Sequence, residues 1–115
     1  MDFVVAAFDG DAIFWYENNG SQSFTQRTVV SSGIDAPREI WLIDLDLDGD
    51  MDIIAGIYFD EDLVWFENNG SQSFTKRTID GSLGGKANSV LAVDLDGDSD
   101  LDIVSGTYDT STLYW

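Results

Sequence analysis

Residues Glu17 to Thr25 read ENNGSQSFT, and the same nine letters return unchanged from Glu67 to Thr75. The rest of the chain keeps that step of fifty: Arg27-Thr28 with Arg77-Thr78, Trp15 with Trp65 and Trp115, and Asp2 with Asp52 and Asp102. The 115 residues are therefore about 2.3 copies of one unit, a period that belongs to solenoids and propellers. Each unit must bury its apolar side against the next, because one copy is too small to enclose a core alone.

The unit is built of strands. Phe3–Phe8, Ala12–Glu17, Phe24–Val30, Glu39–Asp44, Ile53–Phe59, Leu63–Glu67, Phe74–Ile79, Ser89–Asp94, Ile103–Tyr108 and Thr112–Trp115 are short, rich in β-branched and aromatic residues, and bounded by turn formers. Asn19-Gly20 and Asn69-Gly70 accept positive φ, so a tight hairpin is expected after each Trp-bearing strand. Pro37, the one proline, is placed in the connection between copies rather than in a strand. Four strands per repeat describe a propeller blade, and the fold class is all-β, with four-stranded antiparallel blades. The phase of the repeat gives a partial blade over about 1–36, a complete repeat over about 37–86 and a partial blade over about 87–115, with three, four and three strands.

Two strings of alternating aspartates punctuate this array. DLDLDGDMD places Asp44, Asp46, Asp48, Asp50 and Asp52 at loop positions 1, 3, 5, 7 and 9, and DLDGDSDLD does the same with Asp94, Asp96, Asp98, Asp100 and Asp102. Five carboxylates in nine residues repel one another unless a cation or bulk water offsets them. Calcium takes six to eight oxygen ligands in flexible geometry, so side chains at positions 1, 3, 5 and 9 with a backbone carbonyl at 7 suit one ion per loop. Magnesium, which keeps its waters and prefers fewer carboxylates, suits the loops less well. Neither loop is an EF-hand, since the position that needs a Glu holds Ala55 or Ser105. About two Ca2+ per chain are expected. The alternative is a pair of solvated acidic turns.

Composition narrows the function. Twenty-two acids against five bases give a charge of −17 at pH 7, which repels nucleic acid and anionic membranes. Cysteine and histidine are both absent, which removes disulfides, thiolate metal sites and the usual general base. No apolar run reaches the length of a membrane span, and Met1-Asp2-Phe3 lacks the basic start of a signal peptide. Glu17 and Glu67 are a conceivable carboxylate pair for glycoside hydrolysis, but one member per repeat is not a unique constellation, and no activated nucleophile or phosphate loop accompanies them. The chain is read as no enzyme.

The strings DLDGDSDLDIVSGTYD and DLDLDGDMDIIAGIYF, followed by VWFENNGSQSFTKRTI, resemble the FG-GAP or VCBS repeat of integrin-α-type propellers, in its bacterial form. The resemblance covers essentially the whole chain. It implies a calcium-stabilised blade of an adhesion-type protein, extracellular or at the cell surface, commonly in rings of about seven blades, and it implies no particular ligand. Two departures stand out: Leu47 replaces Gly at position 4 of the first loop, and Ser99 replaces Gly at position 6 of the second. Ser99 is expected to be strained and the second site to bind more weakly. The first copy keeps only Asp2 of its loop and is expected to hold no metal.

Two functions from different classes follow. One is a structural and interaction module whose calcium loops brace blades that present protein-binding loops. The other is a calcium-dependent, lectin-like carbohydrate binder using aromatic clefts between blades. Trp15, Trp65 and Trp115, repeated at blade phase, are read mainly as core, while Trp41, opposite Leu91 in the repeat, is the better candidate for a single exposed contact. Because 2.3 units do not close alone, the chain is expected to form a homo-oligomer: two chains carry strands for about five blades, and three approach seven by length. A piece of a longer propeller is the rival reading.

Overall fold

The computed structural model describes residues 1–115 as ten strands with a single three-residue 3₁₀ turn at Phe8–Gly10. Strands β1 (Phe3–Ala7), β2 (Ala12–Asn18) and β3 (Phe24–Val30) form the first antiparallel sheet. The second contains β4 (Pro37–Ile43), β5 (Asp52–Ile57), β6 (Asp62–Asn68) and β7 (Phe74–Asp80) in sequence order. The third contains β8 (Ala87–Val93), β9 (Asp102–Thr107) and the short β10 (Leu113–Tyr114). The strand numbers of three, four and three match the expectation from the repeat phase.

The sheets stack face to face, and the alternation of side chains along each strand decides what each face buries. On one face of the second sheet, Ile53, Ala55, Ile57, Val64 and Phe66 pack against Ile13 and Val4 of the first. On its other face, Ile54 and Leu63 meet Ala87, Val90 and Ala92 of the third. All six residues of β5 are consequently buried, the pattern of a strand covered on both sides. Gly56 lies where β5 passes close to β8: a Cβ there would sit 3.0 Å from that of Ala87. β4 touches both β1 and β8, so the sheets fan out from their first strands. The single chain does not close a ring.

The links between sheets repeat as well. The Tyr58 N–H donates to the Ala36 carbonyl at 3.0 Å, and fifty residues on Tyr108 donates to Lys86 at 2.9 Å. Phe8, Tyr58 and Tyr108, again at that interval, form an aromatic row with centroids 5.6 and 6.3 Å apart. Arg38 and Lys86 both lie over the Tyr58 ring. No helix is long and apolar enough to cross a membrane.

Two local expectations need correction. Pro37 is buried and opens β4, paired with Ile57 beside a register shift. A strand's first residue beside a bulge is a place where the missing N–H costs little. The hairpins after the Trp-bearing strands have five-residue loops closed by Asn19 N–H to Ser23 O and Asn69 N–H to Ser73 O. Positive φ falls on Gly20 and Gln22, and on Gly70 and Gln72, rather than on the asparagines. The Asn18 and Asn19 side chains instead accept from Gly20 and Ser21 N–H, local turns that leave Asn19 free of the left-handed region.

Candidate metal centre

Each aspartate loop joins the first strand of a sheet to its second, β4 to β5 and β8 to β9, and opens at the end opposite the aromatic row. The first loop is wound around its own carboxylates. Gly49 donates to Asp44 Oδ2 at 3.0 Å, Asp48 to Asp46 Oδ1 at 3.3 Å, and Asp50 to Asp48 Oδ1 at 2.9 Å. This winding brings carboxylate oxygens of Asp44, Asp46 and Asp48 within 4.8 Å of one another. Asp44 Oδ1 is buried there with no hydrogen-bond partner. A buried carboxylate oxygen without a donor is costly, and a hard cation would supply what the protein does not. Desolvation, and next the neighbouring Asp48 carboxylate, hold Asp46 above the ordinary carboxylate range; the Asp48 N–H opposes this, while Asp52 and Glu67 add to it.

Asp52, at position 9, has a different duty. It is fully buried, its Oδ2 accepts from Leu45 N–H at 3.1 Å, and its Oδ1 accepts from Asn68 N–H at 2.8 Å. It therefore ties the loop to the end of β6. Asp2 makes the same bond to Asn18 N–H at 3.1 Å in the first sheet.

The second loop repeats the winding with differences. Asp98 donates to Asp96 Oδ1, Asp100 to Asp98 Oδ1, and Leu95 to Asp102 Oδ2. The group drawn together is Asp94, Asp96 and Asp102. Asp94 differs from Asp44 in having both oxygens engaged, by Gly97 N–H at 2.7 Å and Ser99 N–H at 3.1 Å. Asp50 and Asp100 belong to neither close group, and Asp52 and Asp98 each stand outside their own loop's trio.

Backbone strain is shared between the loops. Ser99 has φ 80°, as its place demanded, but Leu47 has φ 61°, beside Gly49 at 96° and Gly97 at 85°. Both loops need positive φ at positions 4 and 6, and each supplies one glycine and one residue that resists. Ser99 alone therefore does not set the second loop apart; the open oxygen of Asp44 does.

The other residues singled out by sequence divide by environment. Glu17 pairs with Arg27 at 2.9 Å and Glu67 pairs with Arg77, whose guanidinium also lies over Trp65. Trp115 is 77% exposed and Trp65 half-buried, so identical phase does not give identical burial; the second sheet has a neighbour on that side and the third has none. Trp41 is 43% exposed. The sequence did not reveal a cleft of about 390 Å³ between the first two sheets, walled by Trp15, Leu42 and Phe74 and edged by Asp2, Asn68 and Gln72. It lies on the side of the first loop, where Asp50 and Met51 also line it.

Face-packed antiparallel sheets at a fifty-residue period, with aspartate loops between first and second strands, define a β-propeller-like repeat protein. The profile of FG-GAP-like repeats matches residues 1–55 and 44–105, and the chain belongs to that family. No curated protein and no solved structure matches it.

Proposed function

We propose that this chain is a calcium-braced propeller module that serves structure and interaction outside the cell or at its surface. The observation that carries the reading is the buried, unpartnered Asp44 Oδ1 within a trio of convergent carboxylates. In the first loop Asp44, Asp46 and Asp48 hold the ion through side chains, with the Asp50 carbonyl and Asp52 completing the loop. In the second, Asp94, Asp96, Asp98 and Asp102 act with the Asp100 carbonyl. Calcium offsets the carboxylate repulsion and locks each loop onto the strand that follows it. The all-oxygen donor set without histidine or cysteine suits a hard cation.

Thermal unfolding tests this. Calcium at a hundredfold excess over Kd adds about 2.7 kcal/mol per site, which raises the Tm of a domain this size by roughly 10 °C or more. Magnesium at the same concentration should do less. The double variant Asp44→Ala/Asp94→Ala should melt alike in calcium and chelator; a calcium response that survives in it would reject the assignment.

A second reading is favoured by the cleft beside Trp15. An indole flanked by a carboxylate and two amides suits a sugar ring, with stacking on one side and hydrogen bonds at the rim. A glycan array in calcium buffer, repeated with Trp15→Ala and Trp41→Ala, separates the readings. Binding lost only with Trp15→Ala supports the cleft, and silence across the array supports the interaction module.

A further inference from the structure

We infer that Asn19 and Asn69, in the hairpin loops that follow Trp15 and Trp65, are acceptors for N-linked glycans. The chain has five asparagines, and only these two carry a serine or threonine two residues on, in Asn19-Gly20-Ser21 and Asn69-Gly70-Ser71. Asparagine, any residue but proline, then serine or threonine is the acceptor sequence for that modification, which belongs to surface loops of exported proteins. Both copies also place an acid two residues ahead of the acceptor, Glu17 and Glu67, the further mark that one class of transferase demands. The inference rests on the extracellular reading above only for access to that transferase.

The fold presents both sites. Asn19, Gly20 and Ser21 are exposed, as are Asn69, Gly70 and Ser71, in the loops from β2 to β3 and from β6 to β7. Asn19 Oδ1 accepts from Ser21 N–H at 2.8 Å, and Asn69 Oδ1 from Ser71 N–H at 2.9 Å. Each carboxamide is thus held by its oxygen, while Nδ2, the atom to be modified, has no partner in the protein. The preceding asparagines differ: both are half-buried, and Asn68 Nδ2 donates to the Met51 carbonyl at 3.2 Å.

The hairpin itself has no use for the serine hydroxyls. The turn takes from Ser21 and Ser71 only the backbone N–H, positive φ falls on their neighbours Gly20, Gln22, Gly70 and Gln72, and neither hydroxyl bonds to the protein. A transferase does use it, gripping the acceptor by the hydroxyl two residues on. Glu17 and Glu67 do have partners, but the side chains of Arg27 and Arg77 are 53% and 54% exposed, and such surface ion pairs exchange readily for an enzyme's own base. In the transfer, Nδ2 attacks the anomeric carbon of an oligosaccharide carried on a polyprenyl pyrophosphate. The bond from that carbon to the phosphate oxygen breaks, the pyrophosphate leaves with the electron pair, and Nδ2 gives up one proton to a base of the transferase.

Intact-mass spectrometry tests it, on the folded 115-residue chain and on a peptide of residues 17–25, each incubated with an acid-requiring oligosaccharyltransferase and a polyprenyl-pyrophosphate oligosaccharide. The peptide should gain one oligosaccharide and the chain two, with one left in Asn19→Gln and one in Asn69→Gln. Ser21→Ala/Ser71→Ala should gain none, although it keeps both asparagines and the backbone bonds of both turns, which an unchanged far-ultraviolet spectrum checks. An unmodified peptide, a modified peptide beside an unmodified folded chain, or a glycan that persists in Ser21→Ala/Ser71→Ala would each overturn the inference. None of these results depends on export or on calcium, so the proposed function stands or falls separately, by the thermal melts above.

Discussion

Asn68 donates its backbone N–H to Asp52 Oδ1 at 2.8 Å, across sixteen residues, and so fastens the end of β6 to the base of the first aspartate loop. The other oxygen of Asp52 holds Leu45 N–H, and the side chain is shut off from water. Removing it strands two backbone donors. Asp52→Ala should therefore cost about 2–5 kcal/mol in urea unfolding even in chelator, from hydrogen bonds to a charged group and the donors left behind. Asp102→Ala, which releases only Leu95 N–H, should cost about half as much. No loss in chelator for either variant would show that position 9 acts through the metal alone.

Leu47 and Ser99 should respond alike to glycine. A left-handed residue carries about 1–2 kcal/mol of strain, partly offset by the extra freedom glycine gains when unfolded. Leu47→Gly and Ser99→Gly should each stabilise the chelated protein by about 0.5–1 kcal/mol. Leu47 is exposed, so its removal sacrifices little packing. Stabilisation by Ser99→Gly only would restore strain as the difference between the loops.

Gly56 tests how closely the second and third sheets approach. A Cβ on β5 there meets that of Ala87, itself wholly buried, at 3.0 Å. Gly56→Ala should cost about 1–3 kcal/mol through overpacking. Ala6 occupies the equivalent place in β1, and Ala6→Gly should lack any such relief in the opposite direction. Thermal melts of the two variants check the contrast.

Two aspartates should pull stability in opposite directions with pH. Desolvation, and then repulsion from Asp11 and Asp60, hold Asp35 above its ordinary range. A raised carboxyl favours the folded state only while protonated, so its contribution falls as pH rises from the unfolded pKa through the folded one. Asp35→Asn should be more stable than wild type at pH 7, with the difference closing near pH 3. Asp109 is held low, chiefly by Lys86 N–H at 2.9 Å. Its stabilisation is present above the unfolded pKa and lost as pH falls through the folded one, so Asp109→Asn should weaken the protein at pH 7 and matter less in acid. Urea midpoints at the two pH values decide both.

The fifty-residue period made the strands, their grouping and the aspartate loops legible, because it reports local chemistry that each copy repeats. What it hid depends on neighbours. Trp65 and Trp115 share a phase and a strand type, yet only Trp65 has a further sheet on its side. Asp44 and Asp94 hold the same loop position, yet Gly97 N–H donates to Asp94 Oδ1, while Leu47, at the same position of the first loop, makes no such bond to Asp44 Oδ1. Asp52 was read as one ligand among five, and its backbone partners sixteen and seven residues away carry no mark in the sequence. The cleft beside Trp15 arises from two sheets meeting, which no single repeat encodes.

Calorimetric titration of calcium into chelator-stripped protein tests the central claim most directly. The account predicts saturable binding near two ions per chain, tighter at the first loop, falling to near one ion in Asp44→Ala and in Asp94→Ala, with the tighter phase missing from Asp44→Ala. Absence of saturable heat, or a stoichiometry unchanged in both variants, would contradict it.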